Sequence, residues 1–394
     1  MKKIIKSCIA IIISCMMVMQ LLSCQPNDSN DNEAEKVQAS VIKIEKYGHA
    51  VLDITTADFI ASGYDFGDIV CVSFGSYEYN MPFYDGYYSN PKSLMLRGSK
   101  LEDYIAVCIN YGDFSSEKNI SVGDTAIITM SKKAGMRDIQ ELYSLQYSNN
   151  PNDYSNTETF ANFREIMVGN IKNGKLYRIA SPINNQNGRA SFASNFIESV
   201  GIKSVLNLAD SNEDVEKYLA NTDDYLEYYR NLYEMGKVIA VDLSGNFYSE
   251  EFACSIAEGL TFLAKNEPPY CIHCTEGKDR TGYVAMLLEA LMGATLDEII
   301  NDYMLSFYNY YGIDKVHEPK RYQAVLDINL MEMLGHVTGG TVDKLGQIDL
   351  EVAATSYLID AGMTQENILT LKEKLGWVYI SLKNREGLHK WKIK

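Results

Sequence analysis

The chain has 394 residues and carries 36 Lys plus Arg against 52 Asp plus Glu, a formal charge of −16 with the histidines neutral. An acidic balance of that size excludes a general nucleic-acid-binding role and a broad basic membrane-binding face, since both need clustered cations. The length accommodates more than one domain, and 46% hydrophobic residues suffice for sizeable cores.

Residues 1–23 read as a leader outside the fold. Lys2, Lys3 and Lys6 precede a largely apolar run from Ile9 to Leu22, and Leu21-Leu22-Ser23-Cys24 closes it in the pattern of a bacterial lipoprotein processing box. Cleavage before Cys24 leaves that cysteine for diacylglycerol attachment. The mature chain is then expected on the extracytoplasmic side of a bacterial envelope, held to the membrane through lipidated Cys24. A conventional secretory peptide and an uncleaved anchor are the alternatives, although the apolar run is short for a full span. Removing residues 1–23 takes three lysines and no carboxylate, leaving a formal charge of −19. Residues 24–40 are polar and acidic and read as a flexible tether.

Residues 41–150 are predicted to form a smaller, mostly β domain. Gly67-Asp68 turns into the strand-like Ile69–Phe74, and Gly123-Asp124 turns into Thr125–Met130. Between them, the tyrosine-rich stretch Tyr77–Tyr88 has two readings. It fills a small β core or an intrachain interface, or it offers planar rings with polar tips to a carbohydrate, a peptide or a neighbouring domain. Ser148–Thr157 is rich in Asn, Ser, Pro and Asp and reads as a linker, so residues 151–165 lead into a second domain over 166–394.

That second domain alternates strands and helices, which predicts an α/β fold with a central sheet flanked by helices. Strands are expected at Ile202–Leu208, Lys237–Leu243 and Tyr270–His273, with helical stretches at 189–199 and 249–264 between them. A nearly all-apolar run, Tyr283–Met292, reads as a helix packed on the sheet, with Gly293 just past its end. Further on, Tyr303, Phe307, Tyr308, Tyr310 and Tyr311 form an aromatic group, and Thr364 is positioned to cap a final helix.

The connection between that strand and helix reads His273-Cys274-Thr275-Glu276-Gly277-Lys278-Asp279-Arg280-Thr281-Gly282. A cysteine and an arginine separated by five residues, at a strand-to-helix turn, form a closed anion cradle. The amides of residues 275–280 converge on a phosphoryl group, the helix dipole adds to them, and Arg280 grips two oxygens. The same positive field favours the Cys274 thiolate. Thr281 is placed to offer its hydroxyl to the sulfur or to cap the helix, and Gly277 to turn the backbone tightly. His273 orients the loop and adds positive character behind the thiolate, or is structural. Lys278 is expected at the mouth, or solvated.

These residues resemble the signature loop of the protein-tyrosine-phosphatase superfamily, and Gly277–Gly282 resembles its bacterial branch of secreted tyrosine and lipid phosphatases. Gly174–Pro182 and Gly201–Leu208 resemble that branch's opening segment and first core strand. The resemblance implies a phosphocysteine intermediate, no metal or other cofactor, and a phosphorylated protein or a small phosphomonoester as substrate. Protein phosphotyrosine leads, with phosphoinositides or inositol phosphates as the alternative and a non-catalytic phosphate-binding surface protein as the second. It also implies an aspartic acid as proton donor to the leaving group. Asp242, at a strand end 32 residues before Cys274, is the first choice, with Asp279 and Asp210 as alternatives. One departure stands out. Relatives often carry Asp-Leu-Arg where this chain has Asn207-Leu208-Ala209-Asp210, so roles at that strand end do not transfer.

Of the eight cysteines, Cys71, Cys108, Cys254, Cys271 and Cys274 follow Cys24. An odd number fits a free nucleophile, and Cys271 reads as a core residue.

Overall fold

The computed structural model describes residues 34–89, 92–243, 245–340 and 342–377. The leader, Cys24 and the first ten residues of the expected tether lie outside the described residues, as does the chain beyond residue 377.

Seven strands close the first unit: β1 (Val37–Ile44), β2 (Ala50–Thr55), β3 (Ile69–Phe74), β4 (Tyr77–Tyr84), β5 (Leu94–Arg97), β6 (Tyr104–Ile109) and β7 (Thr125–Lys132). They form a barrel in the order β1-β2-β6-β5-β4-β3-β7, with β1 also paired to β7. Closure leaves no strand edge unpaired, which is how a small β unit avoids edge-to-edge association. Val70, Val72 and Phe74 alternate inward from β3 to meet Phe59, Phe83 and Phe114. The mostly β expectation holds, but β1 starts at Val37, inside the stretch read as tether. Glu35 is also fixed, its N–H donating to Ser62 O at 2.9 Å. Val37, Ala39 and Val41 alternate within a polar sequence, and burial of those three outweighs the local composition.

The second unit holds a five-stranded mixed sheet in the order β11-β10-β12-β9-β8. Its strands are β8 (Arg164–Glu165), β9 (Leu176–Ile179), β10 (Ser204–Asn207), β11 (Val238–Ala240) and β12 (Tyr270–His273). All neighbours are parallel except β8 with β9, so the strands flanking β12 end at the same edge as His273. Loops at the carboxyl ends of parallel strands are where such sheets bind ligands. β10 and β11 are shorter than expected because the chain leaves the sheet early. Val241 N–H still donates to Asn207 O at 3.0 Å, and Leu243 N–H to Leu208 O at 3.0 Å.

Helices cover both faces, matching the expected α/β architecture. Those that bear on the site are α1 (Arg137–Tyr143), α2 (Ala190–Ser199), α3 (Glu250–Lys265), α4 (Asp279–Leu291) and α5 (Leu296–Tyr311). Ser249 caps α3 through Phe252 N–H, and Thr295 with Glu298 forms a capping box at α5. The apolar run expected from Tyr283 is helical from Asp279, so α4 begins inside the signature loop. It is buried along almost its whole length.

The stretch read as a linker is tied down. Arg189, at the start of α2, is buried and uses its whole guanidinium. Nε donates to Phe160 O, Nη1 to Asn149 Oδ1 and Asn187 O, and Nη2 to Ser148 O and the Tyr154 hydroxyl. The rings of Tyr147, Phe160 and Tyr310 pack on it at 4.9, 4.4 and 5.0 Å. Removing that cation leaves buried acceptors unpaired. Arg189→Ala is therefore expected to cost about 3 kcal/mol or more in equilibrium unfolding; a loss within about 0.5 kcal/mol, typical of surface substitutions, would show that the segment is not held this way.

Candidate active site

The signature loop is shaped by where its carbonyls go. Thr275 O accepts from Ser181 N–H at 3.1 Å, and Glu276 O from the Tyr310 hydroxyl at 2.7 Å. Gly277 O accepts from Asn162 Nδ2 at 3.0 Å and Arg178 Nη2 at 2.9 Å, and Lys278 O from Gly282 N–H at 2.7 Å. With the carbonyls drawn outward, the planar peptide groups turn their N–H groups the other way. Among the described residues, no amide of residues 275–280 donates to an intramolecular acceptor. A row of free amides at a helix start is an anion site. Gly277 permits the turn: its φ is +65°, and a Cβ there would lie 2.3 Å from Ile179 O.

Cys274 is buried at the end of β12, at the base of this loop. Arg280, in the first turn of α4, is held by backbone carbonyls. Its Nη1 donates to Leu243 O at 3.1 Å and Ala209 O at 3.4 Å, and Nη2 lies 3.5 Å from Thr275 Oγ1. The loops after β10 and β11 thus orient the arginine from outside the signature. Cys271 is a buried free thiol pushed upward by burial, as a core cysteine should be.

Three expectations for the loop are corrected. Thr281 is buried, and its Oγ1 has no hydrogen-bond partner among the described residues, the Cys274 sulfur included. His273 adds no positive charge. Burial pulls its pKa from 6.5 to about 3, against an opposing pull from the Cys274 backbone, and its Nε2 lies 3.1 Å from the Tyr229 hydroxyl. Lys278 is not a free cation at the mouth: it pairs with Glu276 at 3.1 Å and Asp279 at 3.8 Å and donates to the Tyr311 hydroxyl at 2.8 Å. Burial opposes its charge, but Asp279, Glu276 and Tyr311 outweigh that and keep it protonated.

The acid candidates differ in setting. Asp242 is exposed, just past β11, with a left-handed φ of +42°, a conformation costing about 1–2 kcal/mol for a non-glycine residue. Its neighbour Leu243 supplies the carbonyl that holds Arg280. Asp210 is buried and accepts from Asn207 Nδ2 at 2.9 Å. Burial raises its carboxyl above the usual range, with Asn207 and Arg280 opposing and Asp242 reinforcing. Asn207, at the end of β10, also accepts from the N–H groups of Ala209 and Asp210. Asp279 opens α4 beside Lys278.

A cleft of about 530 Å³ opens beside Arg280 and Asp279, walled by Phe247, Phe307 and Tyr311 and, from α1 and the residue stretch after it, by Leu142, Tyr143 and Leu145. Tyr143 stacks on Tyr88 of the barrel unit, ring centroids 4.3 Å apart. Tyr147 donates to Glu276 Oε1 at 2.5 Å. Behind the loop, Arg178 and Arg164 share Asp302, and Ser306 joins them. The sequence reading assigned no role to Asn162, Arg164, Arg178, Tyr143 or Tyr147. The arginine of the Leu176-Tyr177-Arg178 run inside an apolar strand was the available signal, because a charge there needs a buried partner.

The neutral His273 makes stability acid-sensitive. The unfolded chain takes up a proton as pH falls below 6.5, while the folded site resists until about 3, so this contribution is complete above 6.5 and lost on acidification. Wild type should lose about 2 kcal/mol more than His273→Gln between pH 7.5 and pH 5 in urea unfolding; equal losses would mean the imidazole is not held neutral.

A family model described as "Tyrosine phosphatase family" matches residues 155–376. A Cupriavidus necator protein named as a candidate tyrosine-protein phosphatase is 38% identical over 69 residues, 17% of this chain and 23% of that protein. The chain thus spans less than a quarter of the length of that curated relative. Two solved structures share 21% identity. The core catalytic domain of the PP-IP phosphatase SIW14 from S. cerevisiae, in complex with citrate, aligns with 42% of this chain and 91% of its own at a TM-score of 0.25. An uncharacterized conserved protein from Thermotoga maritima aligns with 27% of this chain and 39% of its own at 0.23. Since the family match runs over more than half of the chain and encloses both the five-stranded sheet and the loop at its edge, the protein belongs to the tyrosine phosphatase family.

Proposed function

We propose that the protein is a cysteine-dependent phosphomonoesterase acting on phosphotyrosine in proteins. The observation that carries the chemistry is the ring of unpaired amides at residues 275–280, closed by Arg280 and based on Cys274. The Cys274 thiolate attacks phosphorus, the P–O bond to the leaving group breaks, and an aspartic acid gives that oxygen its proton. Water then attacks phosphocysteine, the carboxylate takes back a proton, and inorganic phosphate leaves with the thiolate restored. The amides and the guanidinium hold the equatorial oxygens through both steps.

Two features favour an aryl phosphate over a polyanion. The cleft beside Arg280 is walled by Tyr143, Phe247, Phe307 and Tyr311, and its lysine is already neutralised by Glu276 and Asp279. An inositol polyphosphate needs several free cations. Asp242 is the proposed acid, since it is exposed, has a left-handed backbone and directly precedes Leu243, whose carbonyl accepts from Arg280. Asp210 is the second reading, favoured by its raised pKa. The lipid anchor at Cys24 and the extracytoplasmic, envelope location are part of the proposal and rest on the leader sequence.

Phosphate release should be measured with reductant and without added metal, from a phosphotyrosine peptide, a phosphoserine peptide, phosphoinositides and phytate. Release from phosphotyrosine that vanishes in Cys274→Ser supports the proposal. Preference for an inositol compound would move the substrate class, and no cysteine-dependent release at all would leave a phosphate-binding protein. Tyr143→Ala is expected to raise KM for the phosphotyrosine peptide about tenfold with kcat little changed; an unchanged KM would remove α1 from the substrate wall. Across aryl phosphates of rising leaving-group pKa, the acid variant loses most on the poorest leaving groups. If Asp210→Asn shows that pattern and Asp242→Asn does not, the acid is Asp210, and its basic pH limb should lie above that of an ordinary carboxylate.

A further inference from the structure

A second concavity lies at one end of the barrel, where the β1–β2 turn, the β4–β5 connection and the turn after β6 meet. It measures about 670 Å³, within the range of small-ligand sites. Tyr47, Tyr87 and Tyr111 line it and are 66%, 45% and 55% exposed. Filling a core explains Tyr84, which is buried, but not these three rings.

The site is held in shape. Ser115 N–H donates to Gly48 O at 3.0 Å, locking the first turn to the third. Gly48 has a φ of +76°, and a Cβ on it would strike Asp113, so the two turns touch at that point. The Tyr87 hydroxyl accepts from Arg97 and lies 3.3 Å from His49 Nδ1, which is 3.2 Å from Glu45. Tyr111 has a left-handed φ of +51° and makes no hydrogen bond or ring contact through its side chain among the described residues. Strain that holds an aromatic ring toward solvent points to a use outside the chain.

The lining narrows the ligand class. Among the described residues, none of the side chains around the cleft is aliphatic, which disfavours a lipid tail or an apolar helix. Lys46 stands over the Tyr47 ring at 5.3 Å and Arg97 over the Tyr87 ring at 5.0 Å, while the carboxylate of Asp113 already accepts from Ser115 Oγ, Ser116 Oγ and Ser116 N–H. Neither a polyanion nor an organic cation finds a matching excess charge. What is offered is phenol rings beside hydrogen-bonding groups: the Lys46 ammonium and the Tyr47 and Tyr111 hydroxyls. A pyranose ring has the complementary form, with an apolar C–H face to lie on a ring and hydroxyls around its edge. We propose that this cleft binds a neutral oligosaccharide.

The test uses the full chain in calorimetric titrations with neutral gluco-, manno- and xylo-oligosaccharides, and with mononucleotides as the competing flat ligand. The expected result is saturable binding of at least one oligosaccharide with Kd of about 1 mM or tighter. It should weaken at least about tenfold in Tyr47→Ala and in Tyr111→Ala, and stay unchanged in Tyr104→Ala, a half-exposed tyrosine on β6 outside the cleft. Phosphate release should be the same in all three, since none touches the catalytic loop. No saturable binding to any oligosaccharide, binding that survives the Tyr47→Ala/Tyr111→Ala double variant, or selective binding of a mononucleotide overturns the proposal.

Discussion

Everything at the catalytic edge depends on the outward pull on the carbonyls of residues 275–278. A loop of free amides would otherwise close on itself, because each N–H and C=O must find a partner when buried. Here Ser181, Asn162, Arg178 and Tyr310 take the carbonyls, leaving the amides for a ligand. Arg178 is itself buried, and Asp302 is the counter-charge that it shares with Arg164. Burying two arginines with one aspartate is costly unless the remaining donors are used, and the loop carbonyls are among the acceptors they use. Burial also keeps Glu289 protonated beside Asp302, while Arg164 and Arg178 outweigh burial to hold Asp302 ionised. The anion cradle and the charge cluster behind it are therefore one structure, built from α4, α5 and β9.

The two units meet at the same place. α1 leaves the barrel with Met136 and Ile139 against a barrel cluster and delivers Leu142 and Tyr143 to the catalytic cleft. Tyr147 then reaches Glu276, and Arg189 fastens the chain that follows. A segment whose composition is that of a linker is fixed because a single buried guanidinium donates to the Ser148 carbonyl, the Asn149 side-chain oxygen and the Tyr154 hydroxyl.

The strand at Tyr270–His273 was legible in the sequence because a four-residue apolar run follows Pro268-Pro269 and precedes the signature loop. The signature spacing announced the cradle, the Gly277 turn and Arg280. The helix cap at Thr364 was local chemistry and fell where residue type placed it. What could not be read was pairing at a distance. Lys278 donates to the Tyr311 hydroxyl, 33 residues on, and His273 is stripped of charge by the sheet around it. Val37 joins a strand because β7 lies beside it, which no window around Val37 shows. The three tyrosines of the barrel cleft come from three separate connections, so only Tyr87 fell within the aromatic run that drew attention.

The central claim is that Cys274 carries the phosphoryl group between two displacements. Reaction with an aryl phosphate, acid-quenched within the first turnovers and digested, allows the peptide containing Cys274 to be weighed by mass spectrometry. The account predicts a phosphorylated peptide that appears before the steady state, is modified at Cys274 and is absent in Cys274→Ser. Steady release of phosphate with no modified cysteine at any quench time, and with turnover retained in Cys274→Ser, would contradict it.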